Sequence, residues 1–248
     1  MHLTRIQLFL WIFPTVVESI TVIAMVWRKL WRNLPIFLSY VVFDIVRTWF
    51  LFAERNDDVA YFYAYWLSEA LANLAVLCVI KELFDNAFEE WMGLRRLGNV
   101  LFQWSIALLL VMAVIIAWTS PGTDPKKLMA GIYVIKRTIT FVEAGLLGFL
   151  FLFVFAFGIG WYHYAVGVFL GFGIYGAVEL VAITARAMQG PRRTRLLAWA
   201  IMTVNNVCVF IWASYFLAPA PVRHPQPTLD AEKRLEELNE ALLLLLKR

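Results

Sequence analysis

Histidine and cysteine are nearly missing from this chain, and charge is thin. Of 248 residues, three are His, two are Cys and 16% are charged, where soluble domains carry about 25% charge. His2, His163 and His224 all fall at or beyond the ends of apolar runs, which argues against a bis-histidine haem inside a helix bundle. There is no His-Glu-x-x-His pattern for a zinc peptidase. Ser68, Ser105 and Ser214 have no His near enough in the expected fold to serve as base. A two-aspartate membrane protease needs paired intramembrane Asp, and Asp44 is alone in its run. Cys78 and Cys208 sit in apolar helical stretches without neighbouring ligands, so they read as small core residues rather than a metal or redox pair. No catalytic residue, metal or cofactor is expected.

What the chain has instead is apolar length. It is 62% hydrophobic with mean hydropathy +0.71, well above the roughly 45–50% of a soluble domain. A helix needs about 20 apolar residues to cross the hydrocarbon of a bilayer. About seven segments qualify: Leu8–Trp27, Leu34–Ala53, Tyr61–Phe84, Asn99–Trp118, Leu128–Phe157, Tyr162–Met188 and Leu196–Leu217. The fold class expected is therefore all-α: a polytopic membrane protein of about seven transmembrane helices over residues 1–218. The fifth and sixth segments meet at Gly158-Ile-Gly160, a turn that glycine's positive φ permits. The 11 Trp and 9 Tyr suit rings at headgroup level. Arg5 alone precedes the first run and no small-x-small site follows it, so that run is expected to be retained rather than cleaved. The formal net charge of +4 is spread over short loops, which does not suggest a nucleic-acid partner. No internal repeat is visible, which argues against inverted-repeat transporters. The last segment holds no lysine, so a seven-helix rhodopsin's Schiff base has no residue to form on.

Basic residues set the expected orientation. Arg28, Lys29, Arg32, Lys81, Arg95, Arg96 and the tail outweigh the opposite side, where the Arg192-Arg193-Thr194-Arg195 run is the main counterweight. The N-terminus is expected outside and the C-terminus in the cytoplasm. The third helix is expected to continue past its span through Lys81, Glu82, Asp85, Glu89 and Glu90, with Phe84, Phe88 and Trp91 lying partly on the interface. Residues 219–229, with Pro219, Pro221, Pro225 and Pro227, read as a stiff spacer. Residues 230–248 read as a short amphipathic cytoplasmic helix, its Leu235, Leu238, Leu242 and Leu245 spaced 3-4-3. Glu236, Glu237 and Glu240 on its polar side would be repelled by anionic lipid, so the tail is expected to dock on the basic cytoplasmic loops of its own bundle or, through its leucines, on a cytoplasmic protein partner.

Charges inside spans cost about 2.5–3.5 kcal/mol each on insertion scales and must face protein or water. The segments nevertheless contain Glu18, Asp44, Arg47, Glu69, Asn73, Lys136, Arg137, Glu143, Glu179, Asn205 and Asn206. Counted from the outer end of each span, Arg47, Glu69, Arg137, Glu179 and Asn205 fall in one layer roughly 10–15 Å deep. The short loop after Ala53 matches Arg47 with Glu69, and the loop after Met188 matches Glu179 with Asn205 or Asn206. Asp44 with Arg47 and Glu69 with Asn73 share helix faces by their spacing. The candidate ligand-binding layer is thus Asp44, Arg47, Glu69, Asn73, Arg137, Glu143, Glu179, Asn205 and Asn206. Three readings stay open: an interior network that locks helix packing, a pocket for a small ligand or ion open to the outside, or a conduction path. Gly167 and Gly171 in the sixth span form a close-packing motif.

The run Leu170-Gly-Phe-Gly-Ile-Tyr-Gly-Ala-Val-Glu-Leu180 and the tail Leu238-Asn-Glu-Ala-Leu-Leu resemble a group of uncharacterised bacterial seven-helix integral membrane proteins. The resemblance implies a bacterial inner-membrane location and brings no activity with it. The leading expectation is a non-enzymatic sensor or receptor with an outer polar pocket and a cytoplasmic tail. The alternatives are a small-solute or ion transporter using the same carboxylates, and a structural or assembly subunit.

Overall fold

The computed structural model describes residues 5–89, 92–119, 125–157, 163–188, 191–219 and 229–245, and among them there is no strand. The order is α1 Arg5–Trp27, α2 Pro35–Ala53, α3 Asp58–Ala87, α4 Met92–Thr119, α5 Pro125–Phe157, α6 His163–Met188, α7 Pro191–Leu217 and α8 Leu229–Leu245. The Gly158-Ile-Gly160 turn and Pro221, Pro225 and Pro227 of the spacer lie outside the described residues.

Six helices (α1, α2, α4, α5, α6 and α7) are long and apolar enough to cross a membrane. Their outward faces carry large exposed apolar side chains, among them Ile23, Val46, Leu110, Phe155, Val181 and Phe210. A water-soluble surface does not sustain that much contiguous apolar area, so the molecule is an all-α multi-pass membrane protein. The expected seventh span, α3, is not among these six.

The helices form a closed ring in the order α1–α2–α3–α5–α6–α7, sealed where α7 packs on both α6 and α1. Helix α4 lies outside that ring, against α3 and α5. Its sequence explains the position: from Leu97 to Thr119 it carries no charged residue and has nothing to bring inward. The α6–α7 contact is close because two glycines allow it. A Cβ on Gly167 would sit 2.6 Å from Tyr215 Cβ, and one on Gly171 would sit 2.7 Å from Trp212 Cε2. The Gly167-x-x-x-Gly171 motif therefore faces α7, as its spacing predicts.

One half of the bundle is closely packed and aromatic. Phe37 meets Trp212 at 5.3 Å and Phe216 at 5.5 Å, Phe84 meets Phe102 at 5.3 Å, and Phe149 meets Phe153 at 4.3 Å. Phe84 and Phe88 are fully inside this core, which corrects the expectation that the end of α3 lies on the membrane interface. The helix stops at Ala87, and Phe84 and Phe88 face α4 and α5 rather than lipid, while Glu90 and Trp91 lie outside the described residues.

The same half is closed by polar groups at the helix ends. Helix α2 begins at Leu34-Pro35 with no capping side chain of its own. Glu82 of α3 supplies the cap: its carboxylate oxygens accept the Ile36 and Phe37 N–H groups at 2.8 and 2.9 Å. An anion at a helix N-terminus satisfies orphan donors and opposes the dipole. Arg28 does the converse at the end of α7, donating to the carbonyls of Leu217 at 2.6 Å and Ala218 at 2.8 Å.

Helix α8 folds back onto this end, against α4 and α5. Leu235 is buried, and Leu238 and Leu242 pack on the core, while Leu245 stays 69% exposed. Asn239 accepts the Gly93 N–H, and Gly93 lets the two backbones approach: a Cβ there would lie 2.8 Å from the Asn239 carbonyl oxygen. Of the two docking surfaces expected for the tail, the chain's own bundle is occupied. It is reached through the packing of Leu235, Leu238 and Leu242 and through the Asn239–Gly93 contact at the start of α4.

Candidate functional site

The other half of the bundle is open. A cavity of about 620 Å³ runs from Arg55 and Tyr61, beside the α2–α3 connection, down to Phe172 and Trp212. All six ring helices line it and α4 does not.

Each helix presents one stripe, spaced by the three- and four-residue steps that share a helix face. Helix α1 brings Trp11, Pro14 and Glu18. Helix α2 brings Tyr40, Asp44, Arg47 and Leu51, and α3 brings Tyr61, Tyr65, Glu69 and Ala72. Helix α5 contributes Lys136, Glu143 and Leu147, α6 contributes Phe172, Tyr175 and Glu179, and α7 contributes Ile201, Asn205, Cys208 and Trp212. On α3 the opposite stripe, Tyr63, Leu67, Leu71 and Leu74, is exposed and apolar.

A chain of ion pairs crosses the cavity wall. Asp44 lies 3.5 Å from Arg47, whose guanidinium also reaches Glu69 and donates to Ser68 Oγ at 3.2 Å. The second oxygen of Glu69 takes Lys136, and the same ammonium lies 3.0 Å from Glu179. Three carboxylates thus hold two cations in one run from α2 through α3 and α5 to α6. Tyr65 adds its ring, with the Arg47 guanidinium carbon 5.9 Å from its centroid.

Asp44, Arg47, Glu69, Asn73, Glu143, Glu179 and Asn205, seven side chains on five helices, all line the cavity. Arg47 faces Glu69 across the α2–α3 hairpin. Two residues of the expected layer do not line it. Arg137 is exposed, with its guanidinium carbon 5.8 Å from the ring centroid of Phe141; Lys136, one position earlier, takes the inward place. The spacing shows why: Lys136, Thr140 and Glu143 are at i, i+4 and i+7, one stripe, and Arg137 is about 100° away from it. Asn206 faces α1 and donates to the Leu10 carbonyl at 3.3 Å and to Met202 at 2.7 Å. Glu179 pairs with Lys136 and not with the asparagines of α7.

Reading the charges alone also undervalues Glu18 and the tyrosines. Glu18 is four residues after Pro14 and so on the same face, a signal present in the sequence. Glu18 and Glu143 are 3% and 8% exposed, and each has a carboxyl oxygen with no hydrogen-bond partner. Among the described residues no three His, Cys, Asp or Glu side chains are grouped to hold a metal ion.

No protein-family model matches the chain, and no curated protein or solved structure matches it either.

Proposed function

We propose that this is a seven-span sensor or receptor without enzymatic activity. Its cavity takes a small ligand from the outer side of a bacterial inner membrane, with the N-terminus outside and the C-terminus in the cytoplasm. The observation that carries the reading is the one-sided cavity. Its floor is Tyr40, Phe172 and Trp212, and beneath them Phe37 and Phe216 are 0% exposed. A conduction path would have to cross that aromatic plug. A purely structural polar layer would be dry and mutually paired, whereas this one encloses space for a ligand and leaves carboxyl oxygens unpartnered.

The seventh span of this reading is α3. Its 30 residues extend about 45 Å, its Tyr61, Tyr65 and Glu69 stripe faces the cavity, and its exposed stripe is apolar. The orientation rests on the basic residues beside the aromatic end, and the bacterial inner membrane rests on the resemblance of Leu170–Leu180. Output through the tail is supported by α8 docking directly on α4 and α5.

Cysteine accessibility tests the reading. In a chain with Cys78 and Cys208 replaced by Ala, Thr48→Cys and Asn73→Cys should react with a membrane-impermeant maleimide from the outer face only. Reaction from both faces would mean a pathway, and reaction from neither would mean a closed structural layer.

A further inference from the structure

Resting on the pocket reading above, we infer that the ligand is an organic ammonium ion, held by Glu18 and Glu143 against the tyrosine-lined wall of the cavity.

The two cations deep in the cavity are already engaged. Arg47 is held by Asp44, Glu69 and Ser68, and Lys136 by Glu69 and Glu179. An incoming anion would have to displace a carboxylate from one of them. The acids are in surplus: Glu18, Asp44, Glu69, Glu143 and Glu179 line the cavity against Arg47, Lys136 and, near the α2–α3 connection, Arg55. Arg55 is itself turned to Phe52, donating to its carbonyl at 2.9 Å with its guanidinium 3.9 Å from the ring centroid.

Glu18 and Glu143 are the members of that surplus left without a cation. Both are more than nine-tenths buried, both line the cavity, and each has one oxygen without a partner. A buried acceptor left unsatisfied is costly, and a charged donor recovers more than a neutral one.

The walls choose between kinds of cation. The carboxyls are not grouped for a metal ion among the described residues. The cavity instead presents Tyr40, Tyr65, Tyr175, Phe172 and Trp212, and aromatic faces attract ammonium groups while burying their carbon substituents. About 620 Å³ is room for a small organic molecule rather than a bare ion.

The test uses the purified full chain in detergent and three probes of one shape: benzylamine, benzyl alcohol and benzoate. Calorimetric titration at neutral pH should show benzylamine binding at least about tenfold tighter than the other two, the scale of one charge-assisted contact. Glu143→Gln and Glu18→Gln should each weaken benzylamine about tenfold, with unliganded melting curves run alongside to identify a variant that has lost its fold. If either glutamine variant fails to fold, the wild-type preference among the three probes still decides. Equal binding of benzoate or benzyl alcohol overturns the inference, and so does absence of binding by all three. If that happens while Thr48→Cys still labels from the outer face alone, the pocket stands and only its ligand class falls. Labelling from both faces or neither would instead remove the pocket itself.

Discussion

Glu69 and Lys136, 67 positions apart in the chain, form an ion pair that joins α3 to α5 inside the bundle. The same carboxylate holds Arg47 of α2, so one acid fixes three helices. Replacing it with glutamine keeps the shape and removes the charge from between two cations. We expect Glu69→Gln to destabilise by about 1.5–3 kcal/mol, the range for hydrogen bonds to charged groups. That exceeds the ~0.6 kcal/mol average of interhelical hydrogen bonds in membranes, because a guanidinium and an ammonium lose a partner together. Lys136→Met should cost less in that background than in the wild-type chain, because its pair with Glu69 is already gone while its pair with Glu179 is lost in both. A double-mutant cycle in denaturing mixed micelles measures this, and strict additivity would mean the pair does not couple.

The glycines of α6 divide by what lies against them. Gly171→Ala places a methyl group into the Trp212 indole, and overpacking of this kind costs roughly 1–3 kcal/mol. Gly173→Ala has nothing within 4 Å and should be neutral or slightly stabilising, since alanine is the better helix former. Thermal melting of the two variants side by side is the measurement. Equal effects would mean that the seam does not pack as described.

Helix α8 supplies a second graded contrast. Leu235 is 2% exposed and Leu245 is 69% exposed. Leu235→Ala should cost about 2–3 kcal/mol, the low end for truncating a core leucine, and free α8 to limited proteolysis. Leu245→Ala should stay within about 0.5 kcal/mol of wild type. Gly93→Ala should also release α8, because its methyl group meets the Asn239 backbone. If all three chains are cleaved at the same rate, the tail is not held by this contact.

The helical class, the meeting of Arg47 with Glu69 and the Gly167–Gly171 seam are legible in the sequence because each follows from spacing along a helix or across a short hairpin. The order of the ring is not legible. Nothing in the chain order says that α4 stands outside while α3 and α5 are neighbours, so the pairing of Glu69 with Lys136 is invisible until the helices are packed. Depth counting finds residues at one height without saying which way each side chain turns. That is why Arg137 and Asn206 join the expected layer and Lys136 does not. The leucine spacing of the tail is readable, but Leu245 extends beyond the surface that buries Leu235.

Asn206 also shows what a proline in a spanning helix requires. Pro14 has no N–H, so the Leu10 carbonyl one turn earlier loses its partner within α1. In a membrane that carbonyl has no water to turn to. Asn206 on α7 donates to it at 3.3 Å, which makes the amide a patch for the proline gap rather than part of the cavity wall. Asn206→Leu should therefore cost about 1–3 kcal/mol, the price of a buried unsatisfied group. In a Pro14→Ala background the new N–H can serve Leu10 from within the helix, and the same substitution should cost clearly less. Unfolding both pairs in denaturing micelles gives the coupling between positions 14 and 206. If the loss from Asn206→Leu is the same in both backgrounds, the amide is not compensating the proline and its contact with α1 is incidental.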